Sequence, residues 1–457
     1  MADILQPFLN RSAVRQGQCG RPSVLGRSLL CAASGLLHLL LLVLLLSSPL
    51  AQAAELTAAA ARASVRAEDA QRHVAALADD ALEGRAAGSR GGRAAGAYLV
   101  EEFERIGVAP AGNEGGFYQR FGTMRNVIGM LRGSDPEASQ EVVVIGAHYD
   151  HVGYGTPSNS YGPTGRIHNG ADDNASGVAG LLEVAEACTL LPRRPRRTIV
   201  FALWDGEEVN LLGSRHFVRE RPLPLAHHRV AFSINLDMIG RLRGERVEVY
   251  GSRSAVGLRQ RIVSANLPSG LKLAFSWECS EDSDHYPFLA AGIPTVMFHT
   301  GLHAEYHRPS DDVHLVNYAG IEPVAGLAFE MLLGIADATD SPAFRENCRS
   351  EDEVGRRRLE AEAAPAPPKR WGLATRPDPA DPAAPVVVRV SPGTPAARSG
   401  LQLRDRIVAI DQQPLVDQEE MVLRLGQAAD SIDISVEREG RLFELRLEID
   451  PGAGGAD

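Results

Sequence analysis

The apolar positions of this chain fall into two registers. Glu141–Ala147, Thr198–Trp204, Ala231–Leu236 and Pro294–Phe298 are short, almost uninterrupted apolar runs, the length and texture of strands buried on both faces. Between them lie stretches of helical period. These are Ser176–Leu190, with Asn174 or Ser176 as its N-cap, a segment near Leu211–Val218, and Tyr318–Ala336. Ala67–Ile106 also reads as helical, broken at Gly84–Gly92. Strands alternating with helices predict an α/β fold: a doubly wound, mostly parallel sheet with helices on both faces. Farther on, Ala361–Pro385 is rich in Pro and Ala, the composition of a semi-rigid linker. Val386–Val390, Arg406–Ile410, Ile432–Glu437 and Leu442–Ile449 then read as the strands of a small C-terminal β-rich domain. There is no internal repeat.

One apolar run belongs to neither register. Leu29–Leu50 is densest at Leu36–Leu46, follows Arg11, Arg15, Arg21 and Arg27, and precedes Ala51-Gln52-Ala53. A basic region, an apolar region and an A-x-A site are the parts of a secretory signal peptide, predicting cleavage after Ala53. The alternative is an uncleaved N-terminal anchor, since the run approaches the ~20 residues that span a bilayer. Both place the remainder outside the cytoplasm, periplasmic or secreted, and only the anchor brings a membrane contact. The expected organisation is therefore 1–53 signal or anchor, 54–340 the α/β domain, 341–369 linker, and 370–451 the β-rich domain.

Composition narrows the partners. The formal charge is −11, and residues 1–53 carry four Arg and one Asp, so the remainder stands at −14. That acidity argues against nucleic acid, whose binders present a basic face. Of the five cysteines, Cys19 and Cys31 lie in the leader; Cys188, Cys279 and Cys348 remain, which permits at most one disulfide. No C-x-x-C pair exists, so a thiolate zinc site is unsupported.

The candidate chemistry sits at strand ends, where doubly wound sheets place their sites. His148 and Asp150 follow the first run. Asp172 and Asp173 occupy a Gly-bounded turn before a helix. Glu207 and Glu208 follow the second run, Asp237 ends the third, and His307 lies beyond the fourth. A lone strand-end carboxylate is usually a turn or cap residue. Imidazole and carboxylate from five segments at one sheet edge instead suit divalent ions such as Zn²⁺. A bridging carboxylate with one His and one further carboxylate per ion would build a two-metal site able to share a water. In the pair Glu207–Glu208, one could bind metal while the other moves a proton. Asp150 could orient His148.

The motifs H-Y-D-H (148–151), N-G-A-D-D-N-A-S-G (169–177), D-G-E-E-V-N-L-L-G-S (205–214), N-L-D-M-I-G (235–240) and Y-H-R-P-S-D-D (306–312) closely resemble those of co-catalytic di-zinc aminopeptidases, the bacterial leucyl aminopeptidase and aminopeptidase Y type. The resemblance spans roughly Asp69 to Ala336, and L-E-G-R (82–85) also looks like that family. It implies a zinc-exopeptidase fold and two Zn²⁺ ions. His148, Asp172 and Asp237 would hold one ion and Asp172, Glu208 and His307 the other. Glu207 would be the general base acting on a water between the zincs, and Asp150 would support His148. The Asp172–Asp173 peptide would be cis. His303, a rival to His307, falls outside the Y-H-x-P-x-D pattern. Arg308 stands where the family commonly has a small residue. The family's oxyanion-holding tyrosine has no placed counterpart; Ser280 falls near its position. Asp284 and His285 match an S-D-H stretch near the substrate. Residues 388–411 resemble a PDZ domain of the bacterial protease type, with Trp371-Gly372-Leu373 as its carboxylate-binding loop. Such a module would take peptide C-termini or extended protein segments, or only pack against the catalytic body.

The expected activity is removal of N-terminal residues from peptides with a free N-terminus. The alternatives are a carboxypeptidase or dipeptidase on the same scaffold, with Arg308 reading the terminal carboxylate, a glutaminyl-cyclase-like transferase, and an inactive binding protein. The full ligand set and Glu207 argue against the last two.

Overall fold

A computed structural model of the chain describes residues 58–361 and 369–449. The apolar run Leu29–Leu50 and the cleavage site after Ala53 lie outside the described residues.

A nine-stranded sheet organises the larger domain. Its strands are β1 (Ala109–Pro110), β2 (Tyr118–Phe121), β3 (Met124–Leu131), β4 (Glu141–His148), β5 (Thr198–Trp204), β6 (Arg229–Leu236), β7 (Arg246–Tyr250), β8 (Lys272–Phe275) and β9 (Thr295–His299), in the spatial order β1-β3-β5-β4-β6-β9-β7-β8 with β2 beside β3. The four predicted runs form the centre, β5-β4-β6-β9, and all pair in parallel. Their side chains are buried on both faces, which is why they read as continuous apolar runs. The flanks join antiparallel, β3 on β5 and β7 on β9, and the outermost β8 pairs in parallel with β7.

Helices cover both faces. Ala67–Leu77, Arg90–Ile106, Gly177–Thr189 and Tyr318–Ala336 belong to one core with Val143, Ile145, Ile199 and Phe201. Phe217 and Phe288, from the helices Leu212–Arg219 and Tyr286–Ala290, pack on Trp204 across the other face. Tyr318–Ala336 is long and apolar enough to cross a membrane, but it is mostly buried inside the protein. The helix Gly177–Thr189 starts where Asn174 Oδ1 accepts the Gly177 amide at 3.0 Å, a local side-chain bond that satisfies an otherwise unpaired donor.

The C-terminal sheet runs β10 (Leu373–Arg376), β11 (Val386–Val390), β12 (Arg406–Ile410), β14 (Ser431–Arg438) and β15 (Arg441–Glu448), all antiparallel, with β13 (Gln413–Pro414) on β12. Its own core is built on Trp371, Ile407, Ile410, Met421, Leu425 and Val436. Within 341–369, residues Glu353–Ala361 form a helix.

The two sheets meet at β8, the edge of the larger one. The β14–β15 turn docks there: Leu273 N donates to Glu439 O at 2.7 Å and Asn266 Nδ2 to Gly440 O at 2.9 Å. Gly440 has φ 77°, and a Cβ on it would lie 2.4 Å from Leu273 Cγ, so only glycine fits. Around this contact, Arg259 forks onto Glu437 at 2.8 and 3.0 Å, and Arg253 and Arg406 both reach Asp378. Glu437 is 2% exposed, so losing Arg259 leaves a buried charge facing only the more distant Arg406 Nε, at 3.9 Å. Arg259→Ala is expected to cost about 3–5 kcal/mol in denaturant unfolding. Arg446→Ala, which breaks an exposed pair with Glu448, should cost less than about 1 kcal/mol.

Candidate metal centre

The parallel strand ends bring the predicted residues to one place. His148 is the last residue of β4, Glu207 and Glu208 follow β5, Asp237 follows β6, and His307 stands in the turn beyond β9. Two groups of ligand-capable atoms result, each within a few ångströms: His148, Asp173 and Asp237, and His151, Asp173, Glu208 and His307.

The shared carboxylate is Asp173, not Asp172. Asp173 Oδ1 lies 3.4 Å from His148 Nε2, and its Oδ2 lies 3.1 Å from His307 Nε2. His148 Nε2 is also 3.5 Å from Asp237 Oδ1, and His307 Nε2 is 3.1 Å from Glu208 Oε2. Asp172 faces away. Its Oδ1 accepts from Ser176 Oγ at 2.9 Å and from the Gly240 amide at 2.6 Å, while Oδ2 faces His303 Nε2 at 3.1 Å. The cis peptide likewise lies one residue later than expected, at Asp173–Asn174. Asp311 sets the direction: its Oδ2 accepts the amides of both Asp172 and Asp173 at 3.0 Å, pinning that backbone so that the two side chains diverge.

Asp150 does not orient His148 through its carboxylate. His148 Nδ1 lies 3.2 Å from the main-chain oxygen of Asp150 and 3.9 Å from its Oδ1. Instead, Asp150 Oδ1 accepts the Glu207 amide at 3.1 Å and so fixes the backbone of Glu207. Glu207 Oε2 is 4.0 Å from His148 Nε2, beside the first group. Ser280 is bonded to Asp282 and is exposed; Arg308, also exposed, is in neither group.

Several of these partnerships exist only in the folded chain. His151 Nδ1 bonds Glu208 Oε1 at 2.8 Å, leaving Oε2 toward His307. Ser283 Oγ donates to Asp237 Oδ2 at 2.6 Å. Tyr306 stacks on His307 with ring centroids 3.9 Å apart. Burial, reinforced by Asp173, Glu208, Asp237 and Glu207, drives its hydroxyl far above the ordinary tyrosine range; it stays a donor. Only the adjacency Tyr306-His307 hinted at it.

Arg85 underlies the cluster. Fully buried, it donates to the carbonyls of Tyr149 at 2.8 Å, Leu77 and Asn169 at 2.6 Å, and Gly170 at 2.9 Å. Burial brings its pKa down to about 10, opposed by Asp173, Asp150, Asp311 and Glu208, so it remains a cation at neutral pH. It ties the end of β4 to the loop that carries Asp173.

The donor set fits divalent metal ions. Asp173 Oδ2 is buried and makes no hydrogen bond, a state a metal resolves. Burial pushes Glu207 well above the carboxylate range, and Glu208, Asp284 and Asp237 push it the same way. Burial also works to raise Glu208, but hydrogen bonds from His151 and His307 hold it well below the ordinary value. His307 is raised to about 10: burial opposes its charge, while the adjacent carboxylates of Asp173 and Glu208 favour it. Metal-free, protonated imidazoles thus serve as the carboxylates' counterions.

Residues 126–332 match the model of peptidase family M28, and residues 386–438 match that of a PDZ domain. The chain carries an M28 peptidase domain followed by a PDZ domain. Aminopeptidase YwaD of Bacillus subtilis is 27% identical over 217 residues, covering 45% of this chain and 43% of that protein. Leucine aminopeptidase 1 of Trichophyton rubrum is 28% identical over 201 residues, covering 40% and 51%. The chain thus spans about half the length of the curated relatives it matches. The LapA aminopeptidase of Legionella pneumophila shares the fold, with TM-score 0.53 over 63% of this chain and 75% of that one, at 19% identity.

Two predictions concern this M28 centre. His151→Ser should weaken zinc at the His307 group about 10–100-fold, the usual effect of losing a ligand's orienting partner, and leave the other group unchanged. His151→Asn, which retains an N–H donor, should recover most of the loss in a zinc titration. Zinc must also displace the proton of His307, so affinity should rise with pH until about 10, where that imidazole is neutral. Calorimetry in buffers of different ionisation enthalpy measures the protons released.

Proposed function

We propose that this chain is an exported aminopeptidase that uses two zinc ions to hydrolyse the N-terminal bond of peptides. The observation that carries the reading is Asp173, whose two oxygens are divided between two His–carboxylate groups with Glu207 beside the first. His148, Asp173 and Asp237 would hold one zinc; Asp173, Glu208 and His307 would hold the other, with His151 fixing Glu208. What bound zinc would supply is Lewis acidity toward the scissile carbonyl and positive charge that favours the ionised form of Glu207.

The chain's own residues do the rest. Glu207, held by the Asp150 carboxylate through its amide, takes a proton from the attacking water and delivers it to the leaving amine. Tyr306 donates its hydroxyl to the oxygen that gains charge as the carbonyl becomes tetrahedral. The surplus of carboxylates favours a substrate with a positive α-amine over one with a terminal carboxylate. Export rests on the basic–apolar–A-x-A order of residues 11–53. The PDZ domain would bind peptide C-termini or extended segments.

The test is a panel of aminoacyl-anilides and peptides with free or acetylated N-termini, assayed with chelator and zinc add-back. Glu207→Gln should lower kcat about 10²–10⁴-fold with zinc content unchanged. Tyr306→Phe should lower it about 10²–10³-fold. Unchanged activity in Glu207→Gln excludes the mechanism, and turnover of acetylated peptides alone excludes the aminopeptidase.

A further inference from the structure

The segment after β8, Ser276–Asp284, is one wall of the metal centre. Its far end holds Ser283 on Asp237 at 2.6 Å and Asp284 on Ser214. Its near end is anchored toward the interdomain region: Trp277 N donates to Glu353 Oε1 at 3.1 Å, and the Arg253 guanidinium stacks 3.6 Å over the Trp277 ring. Between these anchors sits Cys279. Its Sγ lies 3.3 Å from the main-chain oxygen of Cys348, 69 residues later in the chain, which makes the two cysteines neighbours. Cys348 is fully buried in the turn Glu346–Ser350. Glu351 just beyond it is clamped by Arg345 and Arg253, and Arg253 also reaches Asp378 beside the PDZ domain. Cys279 is half-buried and open to a small reagent. The third described cysteine, Cys188, is buried in the helix Gly177–Thr189, away from both.

We propose that Cys279 and Cys348 are a disulfide-forming pair, a cross-link that fastens the wall of the metal centre to the segment joining the two domains. A small-molecule disulfide is the oxidant. The Cys279 thiolate attacks it, forming a mixed disulfide and releasing one small thiol. The Cys348 thiolate then attacks the Cys279 sulfur, forming the protein S–S bond and releasing the second. Two protein S–H bonds are lost, and one small disulfide is reduced to two thiols. Cys279 Sγ already lies against the Cys348 main chain between anchored segments, so closure asks only for local adjustment of the two side chains. The bond closes a long chain loop, the situation in which a cross-link restrains the unfolded chain strongly.

The experiment uses the full chain incubated with reduced or oxidised glutathione, then denatured, alkylated and mapped by mass spectrometry. Oxidised protein should yield the Cys279–Cys348 cross-linked peptide with Cys188 alkylated; reduced protein should show all three alkylated. The thermal midpoint should rise by about 5 °C on oxidation. Cys348→Ser should stop at a single glutathione adduct on Cys279 and show no rise. Free alkylation of Cys279 and Cys348 after oxidation, or separate adducts on each, overturns the proposal. The map does not depend on turnover, so it stands or falls apart from the peptidase assignment.

Discussion

Mutual repulsion of carboxylates held out of water is the constraint on which the rest of this structure depends. Asp173, Glu207, Glu208 and Asp237 crowd one cleft, with Asp150, Asp284 and Asp311 buried just behind. Such an array is unfavourable unless positive charge is supplied. Arg85 supplies it from below, as a guanidinium that spends its donors on four carbonyls. The imidazoles supply it from the sides, and metal would supply it in the middle. The fold therefore holds the ligands in place before metal arrives, and the electrostatic cost of doing so is what metal binding relieves.

Precision in the cleft comes from the hydrogen-bonding neighbours of the candidate ligands. Asp311 holds two successive amides and so aims Asp173. Ser283 aims Asp237, Asp150 aims Glu207, and His151 aims Glu208. Each of these contacts joins different segments, so the sheet must assemble before the site can. Parallel pairing of β5, β4, β6 and β9 performs that assembly by bringing all four carboxyl ends to one edge.

The centre of the sheet was legible because strands buried on both faces leave an unmistakable run of apolar residues. The flanks were not: β7 and β8 are short, and alternate positions such as Glu248 are only half covered. At the site, residue types and their order were readable, but orientation was not. Asp172 and Asp173 are adjacent and chemically identical, and which one turns inward depends on Asp311, far along the chain. The orienting function expected of the Asp150 carboxylate belongs to its main-chain oxygen, an atom every residue possesses. His151 and Tyr306 stood within quoted motifs, yet their importance lies in distances that only tertiary structure creates.

The docking of the β14–β15 turn against β8 changes what the second domain is for. An outermost strand offers a row of unmet amides and carbonyls to any other chain able to pair with it. Here one of those amides, Leu273 N, is met within the molecule by the Glu439 carbonyl. The C-terminal domain thus shields part of that edge. A catalytic body severed from it would present a bare seam, inviting the association of copies through the flank farthest from β1.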